Sequence, residues 1–98
     1  MNKKLFVIVR KDLSTSQQAV QAGHAVAEFL LCGPKTNWKN GTLVYLGVKG
    51  LYQLERWIWK LNERGVPIVV FREPDIRNEP TAIATDINCD LFKKLNLL

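Results

Sequence analysis

The stretch LFVIVRKDLSTSQQAVQAGHAVAEFLL, residues 5–31, determines the class of fold because it joins a strand to a helix. Its first part, LFVIVR, begins with a continuous apolar run rich in β-branched residues, which is typical of a central strand covered on both faces. Any of the residues 14–16 can cap the helix that follows, and Ser14 with Gln17, or Thr15 with Gln18, would form a capping box. We predict that this helix runs to about Leu31, before a Gly-Pro stop.

The rest of the chain alternates in the same way. TLVYLGV, residues 42–48, predicts a second strand, and PIVVF, residues 67–71, predicts a third that is buried. Apolar residues at helical spacing predict a second helix between them; they are Leu51, Leu54, Trp57, Ile58 and Leu61. TAIATDI, residues 81–87, predicts a fourth strand, and CDLFKKLNLL, residues 89–98, a short closing helix.

The order β-α-β-α-β-β predicts a single α/β domain over residues 1–98. Strands separated by helices usually pair in parallel through right-handed crossovers, with helices packed on both faces of the sheet. The expected architecture is therefore a three-layer α/β/α sandwich on a four-stranded mixed β-sheet. The third and fourth strands, joined by a short loop, are expected to run antiparallel to each other.

Composition limits the class of partner. The 98 residues are 47% apolar and 23% charged, with a net charge of +5 and a pI near 9.5. A basic excess favours nucleic acid as a partner, although composition by itself is more often explained by a solvated lysine surface. Apolar runs are strand-sized and the N-terminus lacks signal-peptide features, so we expect a cytoplasmic protein without membrane contact. Cys32 and Cys89 are interpreted as reduced, partly buried thiols, with a disulfide as the alternative.

Charged residues follow the first and third strands, at the sheet edge where α/β proteins bind ligands. Arg10 and Lys11 end the first strand, and Arg72 and Arg77 follow the third. The first helix begins at the same edge, with free backbone N–H groups and the positive end of its dipole. These groups suit a phosphate-bearing substrate, and solvated loop charges are the alternative.

A polar stripe on the first helix leads to that edge. Gln17, Gln21, His24 and Glu28 are separated by four, three and four residues and therefore share one face. Gln17 is expected nearest the substrate edge, and His24 deeper along the helix. Histidine acts as an acid or base near neutral pH. A lone imidazole on an apolar helix is more often structural, and we interpret His24 in that way.

Asp75 is the strongest candidate for a catalytic carboxylate. It follows Pro74 and lies between Arg72 and Arg77 in the sequence. A carboxylate held between cations stays ionised and can orient a water molecule, although a salt-bridged turn is the alternative. The sequence contains no metal-ligand cluster and no glycine-rich phosphate loop, so we expect neither a metal nor a cofactor.

Two segments, VIVRKDLSTSQQAVQAGHAVAEF and RGVPIVVFREPDIRNEPTAIA, resemble type 2 peptidyl-tRNA hydrolases. In that family a strand ending in VR-x-DL leads into a helix with the pattern Lys-x-Ala-Ala-Gln-x-x-His-Ala. A Gly-x-Pro strand then leads to an aspartate loop and to a last strand that opens with threonine. The resemblance implies a mixed four-stranded sheet with helices on both faces. It also implies hydrolysis of the ester between a peptide and the 3′ ribose of tRNA, whose backbone would need cations.

By position, the resemblance implies roles for four side chains. Asp75 would match the catalytic aspartate, Gln21 and His24 the helix motif, and Thr81 the threonine that opens the last strand. The departures from the family pattern lie at the same site. Gln17 stands where the family has an active-site lysine, and glutamine donates a hydrogen bond but brings no charge.

The aspartate loop also departs from the family pattern. The family's Asp-Ala-Gly-Arg/Lys-Thr loop is here Asp75-Ile76-Arg77-Asn78, and the loop is shorter before the last strand. Arg77 is a candidate for the missing cation, and Asn78 or Glu79 for the lost threonine. Either the reaction runs at a rearranged site, or the chain is a divergent member that acts on another substrate or on none.

The leading hypothesis is a cytoplasmic, metal-independent hydrolase that acts on peptidyl-tRNA or a related aminoacylated RNA. The alternative is a non-catalytic RNA-binding module that retains the hydrolase fold. A third hypothesis is an interaction domain that forms a homodimer through Tyr52 and Trp59, which share the outer face of the second helix. Trp57, on the other face, is expected in the core.

Overall fold

The computed structural model describes residues 3–98, and these residues form two α-helices and one five-stranded sheet. The elements in chain order are β1 (Lys4–Arg10), α1 (Thr15–Cys32), β2 (Thr42–Val48), α2 (Leu51–Glu63), β3 (Val69–Glu73), β4 (Glu79–Thr85) and β5 (Asn96–Leu97). Two 3₁₀ turns, Pro74–Ile76 and Asp90–Lys94, follow β3 and precede β5. No helix in this part of the chain combines the length and apolarity that crossing a membrane requires.

The sheet order is β3-β4-β1-β2-β5. β1 pairs with β2 in parallel, whereas β4 runs antiparallel to both β1 and β3. β3 therefore points in the same direction as β1, and the carboxyl ends of both strands lie at one edge of the sheet. The prediction that the third and fourth strands are antiparallel is confirmed, and they are also neighbours.

Alternate residues of β1 face two separate apolar clusters, which makes the molecule three layers thick. Leu5, Val7 and Val9 pack with Ala22, Ala25 and Phe29 of α1 on one face. Phe6 and Ile8 pack with Leu54, Trp57 and Leu61 of α2 on the other. A strand that is covered on both faces has apolar residues at consecutive positions, and this explains why the LFVIV segment is apolar throughout. The three-layer arrangement and the core position of Trp57 are confirmed.

The start and end of α1 follow the sequence signals. The Ser14 hydroxyl accepts a hydrogen bond from the backbone N–H of Gln17 at 3.2 Å, and so caps the helix. At the other end, the Gly33 N–H donates to the Phe29 carbonyl at 3.0 Å. A Cβ at Gly33 would collide with that carbonyl oxygen, so only glycine fits this close approach.

Three structural predictions are wrong in detail. The sheet has a fifth strand, because the predicted closing helix is a short 3₁₀ helix over Asp90–Lys94 and Asn96 and Leu97 then pair with β2. β3 begins at Val69, two residues later than predicted. It is half-buried, because it lies at the outer edge of the sheet and has only β4 as a neighbour.

The loop after α1 contributes a side chain to the core, and the environment of Cys32 differs from expectation. Trp38, in the loop between α1 and β2, is buried and donates its indole N–H to the Thr42 carbonyl at 2.9 Å. Cys32 is exposed at the end of α1, although partial burial was expected, and Cys89 is half-buried. Both thiols are free, so the disulfide alternative is not observed.

Candidate functional site

The candidate site lies where β1 and β3 end and α1 begins. β1 ends at Arg10, β3 ends at Glu73, and α1 begins one residue after its Ser14 cap. The loop from β1 to α1 is held by the Gln18 amide, which donates to the Leu13 carbonyl at 2.8 Å and to the Lys11 carbonyl at 3.3 Å. The sheet edge predicted from the strand order is therefore the place where the candidate residues meet.

Arg10 is the buried centre of an ion-pair network, with 5% of its surface exposed. Its guanidinium donates to both carboxylate oxygens of Asp12, at 3.0 and 2.7 Å. It also donates to Glu79 Oε1 at 2.9 Å and to the Pro80 carbonyl at 3.2 Å. Glu79 accepts a further bond from Arg77 Nε at 3.1 Å. The network ties β1 to the start of β4.

Burial and these bonds do not favour the predicted role of Arg10 as a phosphate contact. Its guanidinium donates to two carboxylates and one backbone carbonyl, and the Asp12 hydrogen bonds raise its pKa further. The whole sheet edge at which β1 and β3 end is also less basic than the predicted cluster of cations implied. Its cations are Arg10, Lys11, Arg72 and Arg77, and its anions are Asp12, Glu73, Asp75 and Glu79. These charges balance, so the net charge of +5 arises elsewhere.

Gln21 is the buried polar centre of a second network and is fully shielded from solvent. Its amide nitrogen donates to Glu73 Oε1 at 2.9 Å and to Gln17 Oε1 at 3.2 Å. Its amide oxygen accepts a 2.6 Å bond from the Thr81 hydroxyl. A buried amide is costly unless paired, and here each of its polar atoms has a partner. The network connects α1 to β3 and β4.

Thr81 reaches Gln21 because β4 carries an irregularity at this point. Phe71 pairs with Ala82, but the next residue, Arg72, pairs with Pro80, so Thr81 has no partner of its own in β3. A β-bulge of this kind re-aims a side chain. Ala82 packs against α1, so simple alternation along β4 would point the neighbouring Thr81 to the opposite face of the sheet. The Thr81 hydroxyl instead bonds to Gln21 of α1.

Glu73 is the site residue that sequence reasoning missed. It was one of several loop charges in the sequence, but it is the last residue of β3 and pairs directly with Glu79 of β4. Like charges in such a pair are unfavourable, and each carboxylate here has its own donors. The Gln21 hydrogen bond holds the pKa of Glu73 below its ordinary value, and the Arg10 hydrogen bond does the same for Glu79. Both carboxylates are therefore ionised at neutral pH.

His24 is exposed, which corrects the expectation that it lies deep in the helix stripe. The packed face of α1 runs through Gln21, Ala22, Ala25 and Phe29, and His24 lies on its flank. The imidazole stacks on the Phe71 ring, with centroids 4.5 Å apart and planes 11° from parallel. His24 thus borders the site and is open to solvent.

The loop after β3 presents Asp75 to solvent. Asp75 lies in the 3₁₀ turn, and its backbone N–H points to Glu73 Oε2 at 3.4 Å. Arg77 and Asn78 follow in the left-handed region, with φ of 51° and 56°, and the Asn78 N–H donates to the Glu73 carbonyl at 3.0 Å. Non-glycine residues adopt this conformation at a cost, asparagine least. Glu73 therefore holds this loop through both its side chain and its carbonyl.

The remaining cations at this edge are Lys11 and Arg72. Both are exposed, and neither forms an ion pair within residues 3–98. The carbon chain of Lys11 lies against Gly47 of β2, which leaves its ammonium at the surface. In the same part of the chain, no group of three or more histidine, cysteine or acidic residues is arranged to hold a metal ion.

Stability is expected to fall in acid because of these carboxylates. The pKa values of Asp12, Glu73 and Glu79 are lower in the folded protein than their ordinary values. Their contribution is complete above an unfolded-state pKa of about 4 and is lost as the pH falls through the lower folded-state values. Urea unfolding measured at a series of pH values should therefore show that the free energy of unfolding declines below about pH 4.

The Arg10→Gln variant should have a shallower decline, because Asp12 and Glu79 then lose the donor that lowers their pKa. Arg72→Gln, which removes an exposed arginine, is the matched control and should retain the wild-type slope. Equal slopes for Arg10→Gln and the wild type would mean that the Arg10 network does not set the acid sensitivity.

Comparison with solved structures shows that the fold has a relative. The chain is similar to Atu0240, a protein of unknown function from Agrobacterium tumefaciens strain C58, with a TM-score of 0.68 and 14% sequence identity. The match covers 100% of this chain and 98% of that chain. Neither protein-family models nor curated protein sequences match the chain. The likeness establishes a shared α/β fold over the full length of this chain.

Proposed function

We propose that this chain hydrolyses the ester between a peptide, or an N-blocked amino acid, and the 3′ ribose of tRNA. The observation that carries the proposal is the connected network from Thr81 through Gln21 to Glu73 and the Asp75 loop. The residues linked by this network come from the two segments that resemble type 2 peptidyl-tRNA hydrolases. Residues far apart in the chain, such as Gln21 and Thr81, are thus in direct contact.

The conformation of the aspartate loop supports the resemblance independently. The family pattern has glycine two positions after its aspartate, and the corresponding residue here is Arg77. Arg77 has a φ of 51°, a value at which glycine is normally preferred. The loop therefore keeps a backbone shape that the family sequence favours, although the side chain differs. The Arg77 bond to Glu79 helps to hold that shape.

In the proposed reaction Asp75 orients a water molecule for attack on the ester carbonyl. Asp75 is exposed and lies in a loop that Glu73 holds, as a positioned base requires. Gln17 would stabilise the oxyanion. Its amide oxygen accepts from Gln21, which fixes the amide group and leaves the N–H groups available as donors. His24, which stacks on Phe71, borders the same space.

The direct test measures release of N-acetylated amino acid from tRNA by the purified protein, with and without a chelator. We expect release above spontaneous hydrolysis and no effect of the chelator, because the candidate groups are all side chains of this chain. Loss of release with chelator would contradict the metal-free mechanism. No release at any pH from mildly acidic to alkaline, together with retained tRNA binding, would favour the non-catalytic alternative.

Binding of tRNA at this edge should depend on Lys11 and Arg72. Each phosphate contact adds roughly 0.7–0.9 to the slope of log affinity against log salt. Replacing both residues with alanine should therefore lower that slope by about 1.4–1.8 and weaken binding. Replacing Lys93 and Lys94, which are also exposed, gives a variant of equal charge in which the slope should not change. If the slope falls equally in both variants, the tRNA phosphates contact another face of the protein.

A further inference from the structure

The outer face of α2 carries exposed aromatic and charged residues in a pattern that is complementary to itself. Tyr52 and Trp59 are each 64% exposed and lie two turns apart. Glu55 and Arg56 lie between them, and the four side chains line a groove of about 440 Å³. The opposite face of α2 is in the core, so this groove faces away from the sheet. Large exposed aromatics next to charges are typical of interfaces.

Arg56 is already positioned within this surface. Its guanidinium donates to the Tyr52 hydroxyl at 3.2 Å and lies 5.8 Å from the centre of the Tyr52 ring. Contact with the aromatic ring restrains a long side chain that would otherwise lose conformational entropy on binding. Glu55, the adjacent residue, has no ion-pair partner within residues 3–98. The groove therefore presents one cation held against Tyr52 and one anion without an ion-pair partner in the described part of the chain.

We infer that α2 packs antiparallel against α2 of a second copy of this chain. In a two-fold dimer, if residue i contacts residue j of the partner, then j contacts i. When the axis passes between Glu55 and Arg56, each Glu55 faces the partner's Arg56, and each Tyr52 faces the partner's Trp59. The dimer thus gains two ion pairs and two aromatic contacts from one helix.

Charge selects this arrangement over its alternatives. A parallel pairing in register would set Glu55 against the partner's Glu55 and Arg56 against the partner's Arg56, and both contacts are repulsive. A generic acidic or basic partner would satisfy only one of the two charges. A single helix face is smaller than a standard interface, so the dimer should be weak, with a dissociation constant on the order of 10 μM.

Charge reversal tests the pairing by analytical ultracentrifugation of the full chain. The wild type should dimerise with rising concentration, and E55R and R56E should each stay monomeric, because both ion pairs then become repulsive. An equimolar mixture of E55R and R56E should form a heterodimer, since both cross-pairs are attractive again. This recovery also shows that the two variants are folded. A mixture that stays monomeric, or a monomeric wild type, would overturn the inference.

Two controls separate this surface from others. Asp90→Arg reverses an exposed charge in the second 3₁₀ turn and should leave the dimer intact. Leu31→Glu places a charge on the exposed apolar side of α1 and should also leave it intact, because Leu31 is 82% exposed and lies on the other helix. Dissociation by Leu31→Glu, with E55R still dimeric, would overturn the inference and assign the interface to α1.

Discussion

Replacing Gln21 with alanine is expected to lower the free energy of unfolding by about 3 kcal/mol, because a fully buried side chain with several hydrogen bonds is lost. The Thr81 hydroxyl would keep only the Phe71 carbonyl, at 3.5 Å, as a partner. A cavity would also open between α1 and the β3–β4 pair. Denaturant unfolding at neutral pH measures the loss.

Gln17→Ala is the matched control, because Gln17 lies one turn earlier on α1 and is exposed. Its loss should cost less than about 1 kcal/mol, as most surface substitutions do. The Gln21→Leu, Thr81→Val double variant should recover part of the loss of Gln21→Leu alone, because replacing both partners leaves no buried hydroxyl unpaired. Equal effects for Gln21→Ala and Gln17→Ala would mean that the buried network contributes little to stability.

The elements of the fold were predictable because their signals are local. The apolar run of β1, the Ser14 cap of α1 and the amphipathic spacing of α2 each act within a few residues, and each predicted element is present. The two-residue strand β5 carries no such signal. Asn96 and Leu97 form a strand only because the edge of β2 is beside them, and no periodicity exists in so short a segment.

The candidate site was only partly predictable because its contacts join distant parts of the chain. The strand order correctly indicated the edge, since the carboxyl ends of parallel strands meet there. Arg10 has a local partner in Asp12, but nothing local shows that Glu79, far along the chain, also lies beside it. Thr81 reaches Gln21 through a bulge, which alternation alone does not predict. Glu73 had one usable signal: it continues the alternation of Val69 and Phe71, which face α1.

Asp75→Asn is expected to reduce turnover of N-acetylaminoacyl-tRNA at least 100-fold, within the range typical for loss of a general base. Affinity for tRNA should be unchanged or slightly higher, because the substitution removes a negative charge near the phosphates and leaves every cation in place. Single-turnover kinetics measure the rate, and binding at matched salt measures the affinity. Asp86→Asn is the matched control, because it makes the same substitution in the segment after β4, outside the site. This variant should retain full activity.

Glu73→Gln distinguishes positioning from direct catalysis. Glu73 holds the Asp75 loop and accepts from Gln21, so its neutral variant should reduce the rate less than Asp75→Asn does and lower stability as well. A larger rate loss for Glu73→Gln would assign the attacking water to Glu73 instead. His24→Ala should change stability little, because the ring is exposed.

Gln17→Lys tests the oxyanion side of the same site. A lysine there would supply the charge that the family pattern has at this position. We expect about a tenfold gain in rate, equivalent to roughly 1.4 kcal/mol of transition-state stabilisation. If Asp75→Asn is fully active and Gln17→Lys brings no gain, neither residue takes part in ester hydrolysis. The resemblance to peptidyl-tRNA hydrolases would then be one of fold alone, because a shared fold does not carry a shared reaction.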